Sequence, residues 1–240
     1  MVQGNFAEFR TLNGVYLARA AGWIEKPFAG TTIELMKRIF LSALSQRNLV
    51  QAILSLSPDE QKIVFETVGA ATTEKLQWEQ LWNGINAVAG VASRLIGMGQ
   101  RVLYTDPDVD IFAKIDLMCG PLPNSHATLC IQVKSRYFTR FLHAQGRYRS
   151  MSHFDSEQDY GILDDMTGAL KGFHDEPPND PYVPILVSVH PRHLKCEQSS
   201  EKDLLTEKLK LAVDYFSRDS ERWLAPPTQT AQELPVFIKR

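Results

Sequence analysis

Apolar positions along the 240-residue chain follow a helical period first, then a strand period, then mix the two. Behind Thr31-Thr32, which can cap a helix, Ile33, Met36, Ile39, Phe40, Ala43 and Leu44 recur at i, i+3, i+4, i+7 spacing. Ser57-Pro58-Asp59-Glu60 places a capping serine, a proline at the first helical position and a glutamate three residues on. That capping box predicts a helix to about Val68. A longer helix is predicted from Thr73 to Ile96, where Trp78, Leu81, Trp82, Ile85, Val88, Val91, Ala92 and Leu95 hold the spacing. Gly97 and Gly99 end it.

The period then becomes two. Arg101–Tyr104 is predicted as a short strand, Asp110–Met118 as an alternating strand, Gly120–Ser125 as a turn and Thr128–Ser135 as a second alternating strand. A polar-aromatic segment from Tyr137 to Phe154 is expected to be partly helical. Asp155–Pro184 holds eight acids and one lysine and reads as a solvated loop or a segment that screens basic surface. Tyr182–His190 is a buried strand between prolines, Ser200–Phe216 an amphipathic helix and Leu234–Ile238 a last short strand. The expected organisation is a helical N-terminal appendage over residues 1–72 and an α/β domain with a mixed sheet over residues 73–240.

Composition narrows the classes. With 44% hydrophobic residues, 14 glycines and 13 prolines, the chain is neither disordered nor collagen-like. No run reaches the roughly 18–20 apolar residues of a membrane span, and Glu8, Arg10, Arg19, Glu25 and Lys26 interrupt any signal-peptide core. Three cysteines without a CxxC pair suit a reducing compartment, so a soluble, intracellular, cytoplasmic protein is expected, with no membrane partner. A net charge of −2 excludes a protein that coats nucleic acid through bulk charge.

Candidate chemistry sits on the two alternating segments. Asp110, Phe112, Lys114 and Asp116 share one face of the first; Gln132 and Lys134 share a face of the second, roughly 6.6–7 Å apart. In a hairpin with coincident faces, a carboxylate, an amide oxygen and an ammonium converge. Hard oxygen donors suit Mg²⁺, and a neighbouring lysine can orient an attacking water and stabilise charge on a phosphate.

Asp116 followed after a turn by Ile131-Gln132-Val133-Lys134-Ser135 resembles the PD-(D/E)XK nuclease superfamily, in the variant with glutamine in place of the acid before x-Lys. The resemblance covers residues 74 to 195. It implies a restriction-endonuclease-like core: a helix, a three-stranded antiparallel meander, a helix and a further strand. It also implies Mg²⁺ or Mn²⁺ on Asp116, Gln132 and the Val133 carbonyl, with Lys134 as the catalytic lysine. Glu79 and Asp110 are the candidates for the further acid that family members often carry. The activity implied is that of a metal-dependent nuclease, an endonuclease acting on DNA.

Local charge agrees with a nucleic-acid partner. Leu117–Phe154 contains no acid but carries Lys134, Arg136, Arg140, Arg147 and Arg149, interleaved with Tyr137 and other aromatics, so these residues are expected to track a phosphate backbone. The −2 total is therefore the average of opposed stretches. Two other expectations stand beside this one. The first is an inactive nuclease fold that binds nucleic acid or protein. The second is a glycosyltransferase in which Asp106 and Asp108 of a DxD segment hold a cation on a nucleotide-sugar diphosphate. The N-terminal helices are expected to serve dimerisation or a protein partner.

Overall fold

The computed structural model describes residues 44, 46–71, 75–106, 109, 110, 113–136, 140–143, 156–172, 182–194 and 203–218. The predicted helix after Thr31-Thr32 lies almost wholly outside them, as does the strand at Leu234–Ile238. Residues 46–53 are helical and lead into α1 (Pro58–Ala71) and α2 (Lys75–Gly97). Then come β1 (Val102–Tyr104), β2 (Leu117–Cys119), β3 (Thr128–Ser135) and β4 (Arg140–His143). Helix α3 (Ser156–Gly172), β5 (Tyr182–Val189), a 3₁₀ turn (Pro191–Leu194) and α4 (Leu204–Ser217) complete the described chain. The class is mixed α/β.

The five strands form one sheet in the order β1-β2-β3-β5-β4. β1, β2 and β3 are an antiparallel meander with Leu117 opposite Ile131. β5 returns parallel beside β3, Gln132 opposite Leu186 and Lys134 opposite Ser188. β4 adds an antiparallel outer strand. β3 and β5 are therefore interior strands and must bury both faces, which is why Val183 to Val189 form an unbroken buried run.

Each face has its own cover. Leu129, Ile131 and Val133 of β3 pack with Val91 and Leu95 of α2 and with Leu209 and Phe216 of α4. Cys130 of β3 and Leu186 of β5 pack on the other side with Leu163 and Met166 of α3. A third cluster joins Leu49, Val50 and Ile53 to Val64 and Val68 of α1 and to Trp78 and Ile85 of α2. Helix α2 thus serves two cores. Its first half meets the N-terminal helices, its second half meets the sheet, and Val88 touches both. The uninterrupted apolar pattern of Trp78–Leu95 is the sum of those two stripes.

The capping box forms as expected: Ser57 N–H and Oγ donate to Glu60 Oε2 at 2.8 and 2.9 Å, and Glu60 N–H donates to Ser57 Oγ at 3.3 Å. Asp203 caps α4, its carboxylate accepting from Leu205 and Thr206 N–H. It also takes Arg94 Nε of α2 at 2.7 Å, tying α2 to α4.

Two expectations are corrected. The acidic stretch after Asp155 is not a loop over its whole length: Ser156–Gly172 is α3, and a strand, β4, lies within the segment expected to be partly helical. The signal was present as Ile162, Leu163, Met166, Ala169 and Leu170 at helical spacing, all packed in the α3-side core. Acid density masked it. The second correction concerns Asp110–Met118: among its described residues, strand is confined to Leu117 and Met118, where β2 begins. Residues 109, 110 and 113 are helical, and Asp110 N–H donates to Asp106 O at 3.0 Å. Lys114 then takes a φ of +56°, and the chain bends at Asp116. Ile115 consequently packs toward α3, whereas Leu117, two residues on, packs toward α2. Alternation would have put them on one face.

The β2–β3 turn depends on Gly120. Its φ is +151°, and a Cβ there would stand 2.7 Å from the Ala127 carbonyl oxygen and 2.9 Å from Thr128 Cα. Both obstacles are backbone, so they cannot rotate away. Gly120→Ala is expected to lower stability by about 1–3 kcal/mol, read as a shifted urea midpoint with an unchanged m-value.

Candidate active site

The bend at Asp116 decides the site. β2 begins only at Leu117 while β3 runs on to Ser135, so the β3 backbone beyond Ile131 has no β2 partner. Asp116 N–H donates to Ile131 O at 2.9 Å. Its carboxylate then takes the place of the missing strand: Oδ2 accepts from Val133 N–H at 2.6 Å and from Gln132 Nε2 at 2.5 Å. A buried N–H needs an acceptor, and the side chain supplies it. Thr105, just after β1, holds the bend from the other side. Its N–H and hydroxyl meet the Asp116 carbonyl at 3.4 and 3.2 Å, and the hydroxyl also donates to the Ile115 carbonyl.

Four of the predicted groups are brought together. Gln132 is buried, 3% exposed, and because its Nε2 is spent on Asp116, its Oε1 is the end left for another ligand. The Val133 carbonyl lies on the same strand edge as its N–H, hence on the Asp116 side. Lys134 is half-buried, and its positive charge acts on both Asp116 and Asp110. Asp110 comes from the helical turn rather than from a strand and shares a side-chain hydrogen bond with Asp116.

Two carboxyls this close cannot both ionise freely. Burial first, then the Asp110 charge, pushes Asp116 up to about 7, although Lys134 and the Val133 N–H oppose the rise. Burial also raises Asp110, against the hydrogen bond to Asp116 and the charges of Lys134 and Lys114. The two carboxyls therefore titrate together rather than singly.

Both carboxyls line a cavity of about 50 Å³ whose opposite wall comes from helical residues 46–53 and α2 through Arg47, Val50, Gly84 and Val88. A water needs on the order of 10–15 Å³, so there is room for a small hydrated ion but not for a nucleotide base. The donor chemistry fits Mg²⁺, which is held by one or two carboxylates and keeps waters or phosphate oxygens in its other positions. Among the described residues no cluster of three His, Cys, Asp or Glu side chains is present that could hold a metal. Any cation here therefore depends on amide or carbonyl oxygen beside the two aspartates.

Other expected residues fall elsewhere. Glu79 is exposed and does not line the cavity. On α2 the cavity face is Gly84, Ile85 and Val88, and Glu79 lies about 120–180° round the helix from them. Arg136 is engaged within the fold: its Nη2 donates to the fully buried Asp159 of α3 at 2.6 Å. Arg140 opens β4 opposite Ser188. Tyr137, Arg147, Arg149 and Asp108 lie outside the described residues. Asp106 is exposed and paired with Arg47 at 2.6 Å. Sequence reasoning missed Thr105, Asp159 and Arg47, because each acts across 10 to 59 residues of chain and no local spacing marks it.

Comparison with protein-family models, with curated proteins and with solved structures returns no match. Among the described residues no helix is long and apolar enough to cross a membrane.

The raised aspartate has a measurable consequence in metal-free protein. Unfolding returns its pKa to about 3.9, so the folded state binds more protons than the unfolded state between there and about 7. The stabilisation is complete below about 3.9 and is lost as pH rises through about 7. Asp116→Asn keeps an oxygen acceptor and carries no charge. In chelator, urea unfolding at pH 5 and pH 8 is expected to show wild-type protein losing stability relative to this variant at the higher pH.

Proposed function

We propose that the chain is a metal-dependent phosphodiester hydrolase of the restriction-endonuclease-like, PD-(D/E)XK type, an endonuclease acting on DNA. The observation that carries this reading is the Asp116 carboxylate seated on Gln132 and on the Val133 N–H, within the field of Lys134. The chain order α2, the β1-β2-β3 meander, α3 and β5 supports it, matching the helix, meander, helix and further strand that the motif implies, with β4 as an additional strand between β3 and α3.

Asp116, Asp110, Gln132 Oε1 and the Val133 carbonyl would hold Mg²⁺ or Mn²⁺. The ion would polarise a phosphate oxygen and lower the pKa of water. A cation bound there would favour the ionised carboxylates, any proton they hold passing to solvent. Lys134, on the same face of β3 as Gln132, orients the attacking water and stabilises charge gathering on the phosphate. The Gln132–Asp116 hydrogen bond keeps the carboxylate aimed while the rest of the cluster changes charge.

The glycosyltransferase alternative has less support. The described residues before β1 are helical, where that activity needs parallel β/α units, and Asp106 is engaged with Arg47.

Incubation of plasmid DNA with the protein and Mg²⁺ or Mn²⁺ is expected to give nicked and linear products, and chelation to stop the reaction. Asp116→Ala and Lys134→Ala are expected to slow cleavage by about 10²–10⁴-fold while DNA binding persists. Metal-dependent cleavage undiminished in both variants would remove these residues from the chemistry. Tight binding without cleavage in any metal would make the protein a binding module instead.

A further inference from the structure

The cavity has a wall that the nuclease motif does not account for. Arg47 lies in the helical residues 46–53, outside the stretch that resembles a nuclease, yet lines the same cavity as Asp110 and Asp116. Its side chain is 32% exposed, and its Nη1 donates to Asp106 Oδ1 at 2.6 Å, while the Asp106 side chain is 72% exposed. A guanidinium offers five donors in a planar fork, so one exposed carboxylate oxygen leaves the rest for a second anion. A partner so open to water is also weakly held and easily exchanged.

Tyr104 adds an independent sign of a missing ligand. Its hydroxyl is buried and has no hydrogen-bond partner among the described residues, and Tyr104 lines this cavity too. A buried hydroxyl without a partner leaves a hydrogen bond that a bound water, ion or ligand oxygen can make.

We infer that Arg47 is a substrate-binding residue that grips a nucleic-acid phosphate at the mouth of the Asp110–Asp116 cavity, exchanging Asp106 for it. This deepens the nuclease reading and rests on it. Asp106 keeps the guanidinium extended at the cavity rim when no phosphate is present. That grip adds a cation from the N-terminal helices to the one that Lys134 supplies from the sheet. The apolar contacts of Leu49, Val50 and Ile53 with α2 fix the position of that second cation.

The test is equilibrium binding of a labelled duplex oligonucleotide in chelator across a salt series, with cleavage in Mg²⁺ run in parallel. Arg47→Gln is expected to weaken binding about tenfold and to reduce the slope of log Kd against log salt by about one. Arg47→Lys should retain the slope, and in cleavage Arg47→Gln should raise KM with little change in kcat. Asp106→Asn should bind as tightly as wild type or more tightly, since it removes a competitor for Arg47. Thermal melts confirm that each variant is folded. Unchanged affinity and slope in Arg47→Gln overturn the inference while leaving the nuclease reading intact. Weakening in Asp106→Asn equal to that in Arg47→Gln also overturns it, because the ion pair would then matter only as structure. Arg47-dependent binding without cleavage in any metal sustains Arg47 as a phosphate contact and removes the nuclease reading instead.

Discussion

One hydrogen bond organises the candidate site, from the Val133 N–H of β3 to the carboxylate of Asp116. The backbone of β3 outruns β2 by several residues, and an interior strand cannot leave its N–H groups without acceptors. A main-chain partner would have met the need just as well and produced an ordinary hairpin. A carboxylate does so only if the chain bends at Asp116, which requires the left-handed Lys114 and the Thr105 contacts that hold the bend. The same bend lifts Asp110 out of the sheet and sets it beside Asp116. Buried, raised carboxyls and a nearby lysine follow from that geometry.

Helix α2 links this arrangement to the rest of the molecule. Because it divides its apolar surface between the sheet and the N-terminal helices, the cavity beside Asp116 is roofed by residues distant in sequence. Arg136 and Asp159 perform the corresponding service on the opposite face. Their pair joins the end of β3, two residues past Lys134, to α3. A charge-assisted bond to a fully buried carboxylate constrains the local geometry there.

Much of the fold was legible in the chain. Periodicity located α1, α2, β3, β5 and α4, and the Ser57–Glu60 box marked the start of α1 to the residue. The failures were of two physical kinds. Acidic residues concealed the apolar spacing of α3, because a charge count sums all faces of a helix whereas packing uses one. Around Asp116, alternation implied a continuous strand. A positive φ at Lys114 sends Ile115 and Leu117 to opposite faces, a backbone event that a period-two count cannot register. Asp116 and Gln132 meet through the Nε2–Oδ2 hydrogen bond, with a bend at Asp116 in place of a continuous strand.

What the sequence determined by itself was local: which segments carry helical or strand periodicity, where a cap begins α1, and which residue types stand ready for oxygen-ligand and phosphate chemistry. Only tertiary structure decided which of those residues meet. It seated Asp116 on β3, drew Asp110 in, turned Glu79 away, engaged Arg136 with Asp159 and brought Arg47 to the cavity rim. The physical reason is that spacing along a chain specifies direction only within one helix or strand. Contacts between elements are set by buried backbone groups that need partners and by apolar faces that must be covered. Those requirements are satisfied by residues far apart in the chain.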